Sequence, residues 1–139
     1  MTKITMSTRV NVTAARLWGL VGGFNGLPAW HPGVEKSEVE GTGKGSLRKL
    51  RIAGGGEVVE RLESLNETER VYAYSIVNGP LPVANYVSEL HVKDNPDGTS
   101  TLEWSSTFLP AGVPETEAVR LIEGMYQAGF DNLRKMFGS

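Results

Sequence analysis

After residue 33 the sequence alternates between polar and apolar residues in short segments, and clusters of turn-forming residues separate each segment from the next. Gly54-Gly55-Gly56 is one such cluster, and Asn95-Pro96-Asp97-Gly98 is another. Residues of these types favour tight reversals of the chain. The pattern predicts strands at residues 34–40, 45–53, 56–66, 70–78, 84–94 and 99–109. Such alternation is typical of an antiparallel sheet with one apolar face and one solvent-exposed face.

The residues before this region predict one more strand and two short helices. Within residues 3–12, alternate positions place Ile4, Met6, Thr8, Val10 and Val12 on one face, which is the period of a strand. Thr13 is a suitable N-cap for a helix at 14–21. A second short helical turn after Asn25 should end near Pro32, because a residue that precedes proline avoids the α-helical conformation.

The C-terminal segment predicts one long amphipathic helix from Pro114 to about residue 137. Its apolar residues at three- and four-residue steps are Ala118, Leu121, Ile122, Met125, Gly129, Leu133 and Met136. The apolar face of this helix needs a cover, and the apolar face of the sheet is the surface available. We therefore expect a single α+β domain over residues 1–139, with a seven-stranded antiparallel sheet wrapped around the C-terminal helix.

Composition excludes several classes of function. The chain has 16 acidic and 14 basic residues, a net charge of −2, so it lacks the basic excess with which proteins bind nucleic acid. It has no cysteine and only two histidines, so we expect neither a metal site nor a cofactor. No apolar run approaches the roughly 18 residues of a membrane span, and we expect a cytoplasmic protein. The oligomeric state stays open, a homodimer included.

Three features favour a ligand cavity between sheet and helix. Gly124 and Gly129 interrupt the helix, although close packing against the sheet explains such glycines equally well. Arg48 and Glu60 share the inward face of their strands with apolar residues, so they should pair across the strands or face a cavity, since an unpaired buried charge is costly. The loop residues 53–56 and 78–82 are rich in glycine and proline and could flank an entrance.

The chain resembles a known superfamily over nearly its whole length. The segments that carry the resemblance are WGLVGGFNGLPAWHPGV, GxGxGSLRKL, VVERLESLNETERVYAYSI, GPLPVANY and LEWSSTF, followed by the C-terminal helix. They resemble the polyketide cyclase/dehydrase-like branch of the START-related, birch-pollen-allergen-like (SRPBCC) superfamily, and more distantly the abscisic acid receptors of plants. The resemblance implies a helix-grip fold over a hydrophobic cavity.

The resemblance also assigns roles to individual residues. Glu60 corresponds to a receptor glutamate in a water network inside the cavity, and Tyr86 to the tyrosine of an Asn-Tyr motif. It implies that Glu103 points inward, although Trp104 has the opposite parity on the same strand. It places Tyr74, Ile76, Leu121, Met125 and Gly129 on the cavity wall.

Two departures separate this chain from the receptors. Glu35 stands where they carry the lysine that pairs with a carboxylate ligand, so we do not expect a carboxylate hormone. Ala53-Gly54-Gly55-Gly56 replaces the receptor gate, a Ser-Gly-Leu-Pro loop, so we do not expect signalling through that gate.

Two functions follow from these residues. The first is binding of a small hydrophobic molecule, aromatic or polyketide-like, in the cavity. The second is a cofactor-independent cyclase, aromatase or dehydratase in which His31 or Glu60 transfers protons and Arg48 or Tyr86 polarises a carbonyl group. The candidate catalytic residues are therefore His31, Glu60 and Arg48. The predicted ligand contacts are Trp30, His31, Arg48, Leu50, Glu60, Tyr74, Ile76, Leu81, Pro82, Tyr86, Glu103, Leu121, Met125 and Gly129.

Overall fold

Seven strands form one antiparallel sheet in the computed structural model, which describes residues 1–138. The strands are β1 (Thr2–Val10), β2 (Val34–Glu40), β3 (Leu47–Ile52), β4 (Glu57–Asn66), β5 (Val71–Asn78), β6 (Val83–Asp94) and β7 (Ser100–Pro110). Their order in the sheet is β1-β7-β6-β5-β4-β3-β2, so β2 to β7 form a meander and β1 pairs with the last strand. The predicted seven-stranded α+β arrangement is confirmed.

Two α-helices accompany the sheet. Helix α1 (Ala14–Val21) begins where Thr13 Oγ1 accepts a hydrogen bond from the backbone N–H of Arg16 at 3.3 Å, which satisfies one of the free donors at the helix start. A short 3-10 turn (Leu27–Ala29) follows, as predicted for this segment. Helix α2 (Glu115–Phe137) packs against the sheet, mainly against β1 and β7. Among the described residues, neither helix has both the length and the apolar character that a membrane crossing requires.

The buried face of α2 is rotated from the face that the sequence predicted. Its buried residues are Ala118, Ile122, Tyr126, Gly129, Phe130 and Leu133. Leu121 and Met136, which we expected on the apolar face, are 41% and 46% exposed. Apolar rows at three- and four-residue steps run through both Leu121 and Ile122, and the row with the larger aromatic side chains, Tyr126 and Phe130, is the one that the sheet buries.

Gly129 allows residues 30 and 31 to approach the axis of α2 closely. A methyl group on Gly129 would lie 2.9 Å from Trp30 Cζ3 and 2.9 Å from His31 Cδ2, which is inside van der Waals contact. The space beside Gly129 is thus filled by protein, and this residue is not the cavity wall that the resemblance implied. At Gly124, on the exposed side, nothing lies within 4 Å of the same position.

Replacement of each of these two glycines by alanine should change the stability of the protein in opposite directions. Gly129→Ala forces Trp30 and His31 away from the helix, and we expect the free energy of unfolding to fall by about 1–3 kcal/mol. Gly124→Ala meets no neighbour and gains helix propensity, so we expect a rise of about 0.5–1 kcal/mol. Urea unfolding of both variants and the parent measures this difference. Equal effects of the two substitutions would contradict the close packing at Gly129.

Candidate functional site

A cavity of about 200 Å³ lies between the sheet and α2. Strands β2, β3, β4, β5 and β7, the 3-10 turn, the neighbouring loops and helix α2 all contribute to its wall. The lining residues are Leu27, His31, Gly33, Val34, Leu50, Ile52, Ala53, Val58, Glu60, Tyr74, Leu81, Trp104, Leu121 and Met125. Most of these side chains are apolar, so the cavity is an apolar chamber with a few polar atoms in its wall.

A wider groove of about 590 Å³ adjoins this cavity on the outer side. His31, Gly33, Leu121 and Met125 line both spaces, and Pro82 lines the groove. The groove therefore leads from the surface along the N-terminal half of α2 to the cavity.

Arg48 and Glu60 form a buried ion pair beside the cavity. They are directly opposite each other on β3 and β4, and Glu60 Oε1 accepts from Arg48 Nε at 2.8 Å and lies 2.7 Å from Nη2. Arg48 Nη1 donates to the Phe24 carbonyl oxygen at 2.8 Å and to the Tyr72 hydroxyl at 3.4 Å. The guanidinium also lies 4.3 Å from the ring centroid of Phe24 and 4.8 Å from that of Tyr74. Arg48 is thus enclosed by protein, whereas Glu60 lines the cavity.

The surroundings of Glu60 act on its charge in two directions. Burial raises the pKa of Glu60, and the adjacent Arg48 guanidinium opposes that rise. Of the two roles left open by the sequence, a cross-strand ion pair and a group that faces the cavity, Glu60 fulfils both and Arg48 only the first.

Removal of the arginine should expose the cost of this buried carboxylate. Arg48→Met leaves Glu60 without its partner in an apolar surrounding, and we expect a loss of about 3–5 kcal/mol of stability in urea unfolding. Arg48→Met/Glu60→Gln removes the charge as well and should recover most of that loss. Arg9→Met, which breaks an exposed ion pair with Asp97, is the control and should change stability little. A double variant no more stable than Arg48→Met would contradict this explanation.

His31 is held by both ring nitrogens. The backbone N–H of Gly33 donates to Nδ1 at 3.0 Å, so Nδ1 carries no proton, and Nε2–H donates to the carbonyl oxygen of Met125 at 2.7 Å. This neutral tautomer ties the loop after the 3-10 turn to the middle of α2. Burial lowers the pKa of His31, and the hydrogen bond to Met125 opposes that effect. Neither nitrogen is free to take a proton from a bound molecule.

The lowered pKa predicts a particular pH dependence. As pH falls below 6.5, the ordinary value for histidine, the unfolded chain takes up a proton at this position before the folded chain does. The His31 contribution to stability is therefore complete above that pH and declines as pH falls toward the lower pKa of the folded state. NMR titration should give His31 a pKa below 6.5 and the Nε2–H tautomer, with His91→Gln used to assign the signals. A pKa at or above 6.5 would contradict the burial of the imidazole ring.

Aromatic and hydroxyl groups form a second polar cluster behind the cavity. Trp104 stacks on Tyr126 with ring centroids 4.1 Å apart and planes inclined by 14°. Trp104 Nε1 donates to Ser88 Oγ at 3.0 Å and to the Tyr74 hydroxyl at 3.2 Å. The Tyr126 hydroxyl lies 3.2 Å from Ser88 Oγ and forms a hydrogen bond with the Tyr86 hydroxyl. This chain of hydrogen bonds ends at Tyr74, which lines the cavity.

The structure brings half of the predicted ligand contacts together. His31, Leu50, Glu60, Tyr74, Leu81, Leu121 and Met125 line the cavity, and Pro82 lines the outer groove. The predicted contacts that lie outside both linings are Trp30, Arg48, Ile76, Tyr86, Glu103 and Gly129.

Glu103 requires a correction. It points away from the cavity, where its carboxylate lies 3.2 Å from Lys93 Nζ. Adjacent residues of a strand face opposite sides, and the large apolar ring of Trp104 takes the inward position together with Leu102 and Phe108. The alternation of residues along β7 was enough to place Trp104 inward. Glu103 was expected inward only because of the resemblance.

Other lining residues were not predicted as ligand contacts. Ile52 and Val58 have the same parity as Leu50 and Glu60 on β3 and β4, so the strand pattern contained the signal for both. The sequence gives no comparable signal for Leu27, because its place in the wall depends on how the 3-10 turn packs on the sheet.

Comparison with known proteins identifies the family. A family model for polyketide cyclase/dehydrase and lipid transport proteins matches residues 1–138. The chain belongs to this family. The predicted superfamily is thereby confirmed.

Solved structures of bacterial proteins share this fold. The XoxI protein of Bacillus cereus is 40% identical, with a TM-score of 0.94 over 99% of this chain and 96% of that one. An uncharacterised protein of Bacillus thuringiensis is 39% identical, with a TM-score of 0.93 over 99% of this chain and 100% of that one.

A plant protein is similar at lower identity. Abscisic acid receptor PYL6 of Arabidopsis thaliana is 24% identical over 91% of this chain. The chain spans 65% of the length of that receptor.

Proposed function

We propose that this protein reversibly binds a small hydrophobic molecule in the cavity between the sheet and α2, as a carrier or sensor. The observation that carries the proposal is the apolar chamber of about 200 Å³ with a groove leading to it. An apolar cavity of about 150 Å³ holds one benzene molecule. The chamber thus suits a molecule with one ring and a few substituents, or an aliphatic molecule of similar size.

The family supports a binding function of this kind. Its description includes lipid transport beside cyclase and dehydrase activities, and PYL6 is described as a receptor for a small molecule, abscisic acid. A shared fold does not establish a shared ligand, so the cavity itself has to define the chemistry.

The geometry gives less support to a cyclase or dehydratase. Proton transfer and carbonyl polarisation require an acid, a base and a hydrogen-bond donor around one reacting centre. The nitrogens of His31 are engaged, Arg48 is enclosed, and Tyr86 lies outside the cavity lining. Glu60 remains as the one candidate with an accessible position, which suits recognition better than acid–base catalysis by a pair.

A ligand panel with a cavity-filling variant tests the proposal. One-ring aromatic compounds should raise the melting temperature and change the tryptophan fluorescence, since Trp104 lines the cavity, whereas sterols and flavonoids should exceed the available volume. Ile52→Phe adds bulk inside the cavity and should remove the thermal shift. Val77→Phe adds bulk at a position of β5 that is 46% exposed, and it should leave the shift unchanged. Failure of every compound, or equal binding by Ile52→Phe, would refute the proposal.

A further inference from the structure

The hydrogen bonds around the cavity show which polar atoms are available to a ligand. Both nitrogens of His31 are occupied, as described above. Arg48 directs its donors to Glu60, Phe24 and Tyr72 and does not line the cavity. Arg48 is therefore unavailable, and Arg120 lines only the outer groove, so a bound anion would find no positive partner in the cavity lining.

Glu60 supplies a free acceptor. Its contacts with Arg48 both involve Oε1. Oε2 receives no hydrogen bond from any group within residues 1–138. Because Glu60 lines the cavity, an apolar occupant would leave a carboxylate oxygen without a partner, and a buried unsatisfied acceptor is costly.

Tyr74 supplies a free donor. Ser88 Oγ donates its one proton to the carbonyl oxygen of Ser105 at 2.8 Å. Its contacts with Trp104 Nε1 and the Tyr126 hydroxyl are therefore ones in which Ser88 Oγ accepts. Because Tyr126 donates to Ser88, it accepts from the Tyr86 hydroxyl. Trp104 Nε1 can only donate, so the Tyr74 oxygen accepts from it at 3.2 Å.

The proton of the Tyr74 hydroxyl is left without an acceptor among the described residues. The hydroxyl protons of Ser88, Tyr126 and Tyr86 all have acceptors, so within residues 1–138 only the Tyr74 proton of this cluster has none.

The free acceptor and the free donor lie on the same wall. Glu60 pairs with Ile76 and Leu62 pairs with Tyr74, so Glu60 and Tyr74 are diagonal neighbours on adjacent strands and line the same cavity. The fully buried side-chain polar atoms without a hydrogen-bond partner in residues 1–138 are Trp30 Nε1, Ser37 Oγ and Ser106 Oγ, and these residues lie outside the cavity lining.

We propose that the ligand is a small neutral phenol or alcohol whose hydroxyl group donates to Glu60 Oε2 and accepts from the Tyr74 hydroxyl. A hydroxyl group is the simplest group that satisfies an acceptor and a donor at once. A carboxylate would meet Glu60 without a cation to offset the repulsion, and an ether or ester has no proton for Glu60. This inference rests on the proposed function and specifies the polarity of the ligand.

A series of isosteric one-ring compounds tests the inference on the unmodified protein. Binding of p-cresol, p-xylene, p-methylanisole and p-toluate would be measured by calorimetry. We expect p-cresol to bind at least about tenfold more tightly than p-xylene, which is about the effect of one hydrogen bond to a charged group. We expect p-methylanisole to bind more weakly than p-cresol, and p-toluate not to bind.

The outcomes separate the inference from the proposed function. If p-xylene binds as tightly as p-cresol, the hydroxyl preference is refuted while ligand binding in the cavity stands. If p-toluate binds more tightly than p-cresol, the ligand is an anion and the inference is refuted. If none of the four compounds binds, the proposed function fails and the inference fails with it.

Two tyrosine variants test the donor. Tyr74→Phe removes the free proton but leaves Trp104 Nε1 bonded to Ser88, so the fold should persist, as near-ultraviolet circular dichroism can verify. The preference for p-cresol over p-xylene should fall several-fold, with p-xylene affinity unchanged. Tyr86→Phe is the matched control, since it removes a buried hydroxyl outside the lining, and it should keep the preference. An unchanged preference in Tyr74→Phe would refute the role of Tyr74.

Discussion

The close approach of α2 to Trp30 and His31 determines the rest of the arrangement. It depends on Gly129, since any side chain there would overlap both neighbours. The same contact includes the hydrogen bond from His31 to the Met125 carbonyl oxygen, one turn earlier in the helix. The helix is thus attached to the loop at its middle, and the turn that carries Leu121 and Met125 remains above the cavity rather than filling it.

The buried ion pair is better explained by recognition than by stability. Apolar residues of similar volume often stabilise a fold as well as a buried ion pair does, because desolvation offsets most of the attraction. Arg48 nevertheless occupies an enclosed position with three hydrogen-bonding partners and the faces of aromatic rings. This surrounding holds the carboxylate of Glu60 in one orientation, with Oε1 bonded to Arg48 and Oε2 without a hydrogen bond within residues 1–138. Such a fixed acceptor has a clear use in ligand selection.

Strand and helix patterns predicted the fold well because each element carries its own signal. Alternation with period two gave seven strands, and Thr13 and Pro114 marked the two helix starts. The errors concern choices that depend on packing between elements. The rotation of α2 was decided by which row the sheet could bury, and periodicity alone did not separate Leu121 from Ile122. Within the site, parity correctly placed Glu60 and Leu50 inward, whereas the resemblance misplaced Glu103.

Different residues of the cavity wall determine the volume of the cavity and its polarity, so the two can change independently. The apolar residues Leu50, Val58 and Met125 determine its volume, and the same residues belong to or pack against the core. The polar character depends on Glu60 and Tyr74, whose free oxygen and proton take no part in holding the sheet together. Substitution of Tyr74 would leave Trp104 with its Ser88 partner, so the cost to the fold would be small. A family with this architecture can therefore change the ligand that it recognises while the sheet and the terminal helix stay as they are.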